Sequence, residues 1–211
     1  GRHCQWARES ALTRFSGAAL MITQAICVFS SSSDGIAPAY FKAACDLGQL
    51  IALHGHTLVY GGSTTGLMGE LARAVHIQRG KVIGVIPESI RARGVAYDLA
   101  DELLITADLR ERKAVMEARS DAFIALPGGF GTLEEVSEML TLKQLQLHAK
   151  PIVLINTLGF YDPLLALYEH FYAERFAKEQ YRRLYYVAPD VTSALGYIET
   201  YQPPTLESKW F

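Results

Sequence analysis

The chain has 211 residues, 50% of them hydrophobic and 20% charged, with a formal net charge of −2. That length carries one substantial domain with a buried core, and the near-neutral charge lacks the basic field of a nucleic-acid binder. No apolar run approaches the roughly 18 residues of a membrane span, and three cysteines without a C-x-x-C pair point to reduced cytoplasmic thiols rather than a zinc site.

Residues 1–20 carry Arg2, Arg8 and Arg14 and no strand pattern, and Met21 stands directly before the first strand-like run. An expression remnant or a poorly ordered extension is expected there, with residues 21–211 forming the domain. From Ala25 onward, short apolar runs bounded by Gly, Pro or Ser alternate with helical patterns. Strands are predicted over 25–30, 57–60, 81–86, 102–106, 122–126, 151–155 and 185–187. Helices are predicted over 40–53, 67–78, 109–120, 133–148, 163–176 and 191–200; in the first, Phe41, Cys45, Leu47 and Ile51 fall at helical spacing. Continuous apolar strands alternating with helices specify an α/β fold, here a single doubly wound, Rossmann-like parallel sheet with helices on both faces.

Ligands bind such sheets beyond the carboxyl ends of the strands. Three small-residue loops fall there, at 30–34, 61–66 and 127–132, and each leads into a helix whose N-terminus can face a shared crevice. A fourth helix start, at Asp108, opens the helix holding Arg112 and Lys113, and is expected beside the fifth strand and its loop.

Residues 126–135 read LPGGFGTLEE. Strand, glycine turn and helix follow one another, and Gly128, Gly129 and Gly131 let the backbone approach an anion closely. Glu135 lies one turn into that helix. Thr132 and Glu135 also match a capping box, so from these residues alone Glu135 is either a cap or a carboxylate beside a bound phosphate. Arg112 and Lys113 can add positive charge to such a site, or can belong to a solvated charge run with Arg110 and Glu111.

The common nucleotide motifs fail. Gly61 and Gly66 have Walker spacing, but Leu67 stands where the lysine belongs, and Gly129-Phe130-Gly131 continues to Glu134 rather than to glycine. No metal-ligand spacing appears; His54 and His56 read as surface residues, and His76, His148 and His170 are isolated on helices.

Together these residues resemble the Lonely Guy family, the cytokinin riboside 5′-monophosphate phosphoribohydrolases, many of which carry an older "lysine decarboxylase-like" label. Pro127, Gly128, Gly129, Gly131, Thr132 and Glu135 match the family's P-G-G-x-G-T-x-x-E in full. Tyr60, Gly61, Gly62, Gly66, Leu67, Met68 and Gly69 match its Y-G-G-G-x-x-G-L-M-G, with Ser63 replacing the third glycine; Glu111, Arg112 and Lys113 match its E-R-K. In the opening loop Ser31 also replaces a family glycine.

The resemblance implies hydrolysis of a nucleoside 5′-monophosphate, a cytokinin nucleotide or AMP, to free base and ribose 5-phosphate, with no cofactor or metal. It implies Arg112 and Glu135 as the catalytic pair, with Ser31, Ser32, Gly61, Gly62, Lys113, Gly128, Gly129, Gly131 and Thr132 holding substrate and phosphate. It also implies a homodimer or higher homo-oligomer. Two alternatives stand beside this: a nucleotide-binding module without catalysis, and lysine decarboxylation. The latter needs a Schiff-base lysine, often preceded by histidine, and none of the six histidines here precedes a lysine.

Overall fold

The computed structural model describes residues 24–207. The extension expected over 1–20, and Met21, lie outside the described residues. Among the described residues, seven strands form one sheet: β1 (Ala25–Phe29), β2 (Thr57–Tyr60), β3 (Lys81–Pro87), β4 (Glu102–Thr106), β5 (Ala122–Ala125), β6 (Ile152–Ile155) and β7 (Tyr186–Ala188). Seven α-helices among the same residues connect them or follow them: α1 (Pro38–Leu53), α2 (Gly66–Ile77), the single turn α3 (Glu88–Arg91), α4 (Leu109–Ala118), α5 (Phe130–Gln144), α6 (Asp162–Ala173) and α7 (Val191–Glu199). Each strand falls within a residue or two of its apolar run.

Every strand pairing is parallel, in the order β4-β3-β2-β1-β5-β6-β7. The chain winds one way from β1 to β4 and then restarts beside β1 with β5. The carboxyl ends of β1 and β5 therefore diverge at the switch point, where doubly wound sheets open a crevice.

Both faces of the sheet are covered, which is why the strands are apolar throughout rather than alternating. Ile26 and Val28 of β1 face a core built with α1, α2 and α7 through Leu47, Leu71 and Ile198. Their neighbours Cys27 and Phe29 point the other way, into a core shared with Met116 of α4, Val136 and Met139 of α5, and Tyr161. Cys27 is a free, fully buried thiol whose pKa burial drives up, whereas Cys45, expected as a reduced thiol, is disulfide-bonded. No helix among the described residues is long and apolar enough to cross a membrane.

One expectation about neighbours is corrected. β4 lies at the sheet edge, separated from β5 by β3, β2 and β1. Arg112 does not reach the fifth-strand loop because its strand is adjacent. It reaches it because α4 crosses back over the sheet on its way to β5.

Candidate active site

A cavity of about 620 Å³ lies at the switch point. The loops after β1, β2 and β5 all line it, through Ser31 and Ser32, Gly61, and Gly129, Gly131 and Thr132 respectively, and so do Arg112 and Glu135. Gly62 sits beneath the floor against Val85 and Ile86, and Gly128 sits behind Thr132. Neither lines the cavity.

Three helices start around this region, but their N-termini are not equivalent. At α2 the first donors are used within the protein: Gly66 donates to the Asp34 carboxylate at 3.0 Å and Leu67 to the Ser31 carbonyl at 2.9 Å. At α4 the Asp108 carboxylate accepts from Arg110 and Glu111, while the Glu111 carboxylate reaches back to the Ala107 amide at 2.6 Å. The capping arrangement suspected at Thr132 and Glu135 is thus found at Asp108 and Glu111. At α5 the N-cap is Gly129, and no side chain caps it. Its free amide groups and the positive end of its dipole face the cavity, the ordinary provision for an anion.

Because α5 begins at Phe130, two residues before Thr132, Glu135 lies past the first turn and is not a cap. Its carboxylate accepts a hydrogen bond from Arg112 Nη1 at 2.8 Å. Arg112 also donates through Nε to the Val85 carbonyl at 3.0 Å, which fixes the plane of the guanidinium. Gly61 makes room for that plane: a Cβ there would lie 2.1 Å from Nη2 and 2.9 Å from Met68 Sδ. Gly128 does the same for Thr132, whose Oγ1 would meet a Cβ at 2.1 Å. These two glycines are small because side chains of the site occupy their space.

The pair is deep. Glu135 is only 7% exposed, and burial raises its carboxyl above the usual carboxylate range against the opposing pull of Arg112. The contact is single, Nη1 to Oε1, so the other oxygen and the remaining guanidinium donors are left for a bound molecule. Ser30 adds a buried hydroxyl with no hydrogen-bond partner on the same wall.

Lys113 is placed differently. It does not line the cavity, and its ammonium is held by Glu134 and Glu138 of α5; burial lowers its pKa, but the two carboxylates together outweigh that and raise it. No lysine lines the cavity among the described residues. Sequence reasoning missed the opposite wall, where Ile90, Arg93 and Val95 follow β3. That segment is laced to the β2 loop by Thr64 N–H to Val95 O at 2.8 Å and Tyr97 N–H to Gly62 O at 2.9 Å. Its position after a parallel strand was the available signal.

One group of side chains among the described residues has metal-ligand proximity: His54, His56 and Glu199 offer atoms within 4.8 Å of one another, at the far end of β2. His56, read as a surface residue, is buried. Its Nδ1 accepts from the Gln24 amide at 3.2 Å, so a neutral ring carries its proton on Nε2, which faces Glu199 at 3.1 Å. That proton occupies the lone pair a metal would need, and the trio is a hydrogen-bonded clamp between α7 and the α1–β2 turn.

A family model described as "Possible lysine decarboxylase" matches residues 68–198. A "Probable cytokinin riboside 5′-monophosphate phosphoribohydrolase" of Oryza sativa subsp. japonica is 45% identical over 178 residues, covering 84% of this chain and 78% of the relative. A cytokinin riboside 5′-monophosphate phosphoribohydrolase of Arabidopsis thaliana is 42% identical over 178 residues, covering 84% and 82%. Among solved structures, the molybdenum cofactor carrier protein of Chlamydomonas reinhardtii superposes with a TM-score of 0.64 at 26% identity, over 84% of this chain and 96% of that one.

Proposed function

The chain belongs to the Lonely Guy family of cytokinin riboside 5′-monophosphate phosphoribohydrolases, and we propose that it hydrolyses the N-glycosidic bond of a purine nucleoside 5′-monophosphate of the cytokinin or AMP type. The observation that carries this reading is the uncapped N-terminus of α5 opening on the same cavity as a buried Arg112–Glu135 pair.

In this reading the 5′-phosphate sits on the amides of the 129–132 turn, with the Thr132 hydroxyl beside it, and orients the ribose over Glu135. The C1′–N bond breaks as positive charge builds on the ribose, and the Glu135 carboxylate lies where it stabilises that charge and holds the incoming water. The water oxygen bonds to C1′, the base leaves with the bond's electron pair and gains a proton, and ribose 5-phosphate remains. Arg112 holds Glu135 ionised in its buried setting and offers its free donors to phosphate or ribose. Ser30, Ser31 and Ser32 supply hydroxyls to the sugar side. This work needs no lysine, so Lys113 acts by tying α4 to α5.

The structural likeness to a molybdenum cofactor carrier favours a second reading, binding without turnover. Base release separates the two. With AMP or isopentenyladenosine 5′-monophosphate, free base should accumulate with ribose 5-phosphate in equal amounts. Adenosine, which lacks the phosphate, should show a kcat/KM at least about a hundredfold lower, since two charge-assisted hydrogen bonds at about 1.5–3 kcal/mol each are lost. Equal efficiency for AMP and adenosine would remove the phosphate from the α5 turn, and tight AMP binding with no base release would leave a carrier.

A second copy of the chain closing the base side of the cavity completes this proposal. Phe130, on the cavity wall, is 94% exposed, and Leu133 beside it on α5 is also exposed. Large apolar side chains so placed are suited to contact with another protein surface. Light scattering should give a dimer or larger mass that Phe130→Ser shifts toward monomer; a wild-type monomer would overturn this part.

A further inference from the structure

At the other end of α5, eight residues and about 12 Å along the helix from Glu135, a separate cavity of about 370 Å³ is walled by the end of α5 and the tail after α7. Lys143 lines it and is only 3% exposed. Its ammonium donates to the Leu184 carbonyl at 2.8 Å and lies 4.9 Å from the centre of the Tyr201 ring. Among the described residues no carboxylate pairs with it.

This is unusual for a lysine, because a buried cation is normally paired or neutralised. Burial alone lowers its pKa to about 8, so it is still mainly charged at neutral pH. Of its three N–H donors, one has a carbonyl and one can point at an aromatic face, which leaves a third. Tyr201 lines the same wall, and its hydroxyl is buried and makes no hydrogen bond. Two other polar side chains of the wall are engaged: His148 donates to the Met139 carbonyl and accepts from the Lys150 amide, and the Gln146 side-chain amide donates to Leu206 O. Thr205 adds a further polar side chain to the wall, and Pro203, Pro204 and Leu206 give it an apolar stretch.

We propose that this cavity binds a small organic monocarboxylate, its charged end on Lys143 and the Tyr201 hydroxyl and its apolar body against Pro203 and Pro204. One ammonium and one hydroxyl suit a single carboxylate. They do not suit a phosphate, whose extra charge and oxygens call for several N–H donors or a guanidinium fork. The rival account makes Lys143 a strut, satisfied by Leu184, the Tyr201 ring and the carbonyl end of α5.

Benzoate and its neutral counterpart benzyl alcohol, titrated calorimetrically into the full chain, distinguish these accounts. Benzoate should bind, with benzyl alcohol at least about tenfold weaker. Lys143→Met should weaken benzoate by at least about tenfold and leave benzyl alcohol unchanged. The same variant keeps the active-site crevice intact, so loss of benzoate there cannot come from the phosphate turn. Tyr201→Phe removes only a hydroxyl and should weaken benzoate several-fold, which keeps the test available if Lys143→Met fails to fold. Absence of benzoate binding at millimolar concentration, equal binding of the two compounds, or unchanged affinity in Lys143→Met or Tyr201→Phe would overturn the proposal and leave the strut.

Discussion

Glu135→Gln is expected to lower the rate of base release by at least about a hundredfold while AMP still binds. The substitution keeps the shape of a side chain that is 7% exposed and removes its charge. A Gln carbonyl still accepts from Arg112 Nη1, now 2.8 Å from Oε1, so the guanidinium keeps its place on Val85 O. The 129–132 turn, which carries the phosphate in the proposed mechanism, is untouched. What is lost, in that mechanism, is a negative charge beside C1′, and a fixed charge in a water-poor site acts on the transition state far more than on the ground state. KM for AMP should therefore change little against a large fall in kcat. Near-normal turnover in Glu135→Gln would return Glu135 to a purely structural role.

In the proposed mechanism the same residue should set the acid limb of the pH profile. Burial pushes the Glu135 carboxyl above the usual carboxylate range, and Arg112 opposes this without cancelling it. The proposed mechanism needs the ionised form, so kcat/KM should begin to fall at a pH above the ordinary carboxylate value of about 4.3. The sign is fixed by the direction of the shift: a raised pKa means protonation, and loss of activity, at higher pH.

The strands were legible because a strand buried on both faces is apolar at every position, and the runs in this sequence are bounded cleanly by Gly, Pro and Ser. The order of the strands was not. Sequence order placed the helix of Arg112 next to the fifth strand, whereas β4 closes the far edge of the sheet and α4 returns over it. Adjacency in a parallel sheet depends on crossovers, which leave no local mark. The glycines were legible as a close approach, but what approaches Gly61 and Gly128 is Arg112 and Thr132, from α4 and α5 respectively. The T-x-x-E spacing of Thr132 and Glu135 taken alone favours a cap over a site. Only the fold, by bringing Arg112 within 2.8 Å, shows where the carboxylate is directed. Lys113 is the converse case: adjacent to Arg112 in sequence, it points about a quarter-turn away on α4 and meets Glu134 and Glu138, one turn apart on α5.

Arg112→Ala is expected to abolish turnover to a similar degree, about a hundredfold or more, and to lower the melting temperature as well. The stability loss arises because Glu135 is left in a buried setting without its counter-charge, a penalty of about 1–3 kcal/mol for an unsatisfied polar group with some access to cavity water. The double variant Arg112→Ala/Glu135→Gln removes that orphaned charge. It should recover most of the melting temperature and none of the activity, so folding and catalysis separate within one pair of measurements. Arg112→Lys probes the fork. An ammonium can pair with Glu135, yet it cannot also reach Val85 O and present a second, coplanar donor to the cavity as the guanidinium does. Arg112→Lys should therefore be near wild type in stability and at least about tenfold slower. If Arg112→Lys is fully active, a point charge suffices and the arginine only keeps Glu135 ionised. If Arg112→Ala itself is active, the buried pair is structural and the proposed mechanism loses its centre.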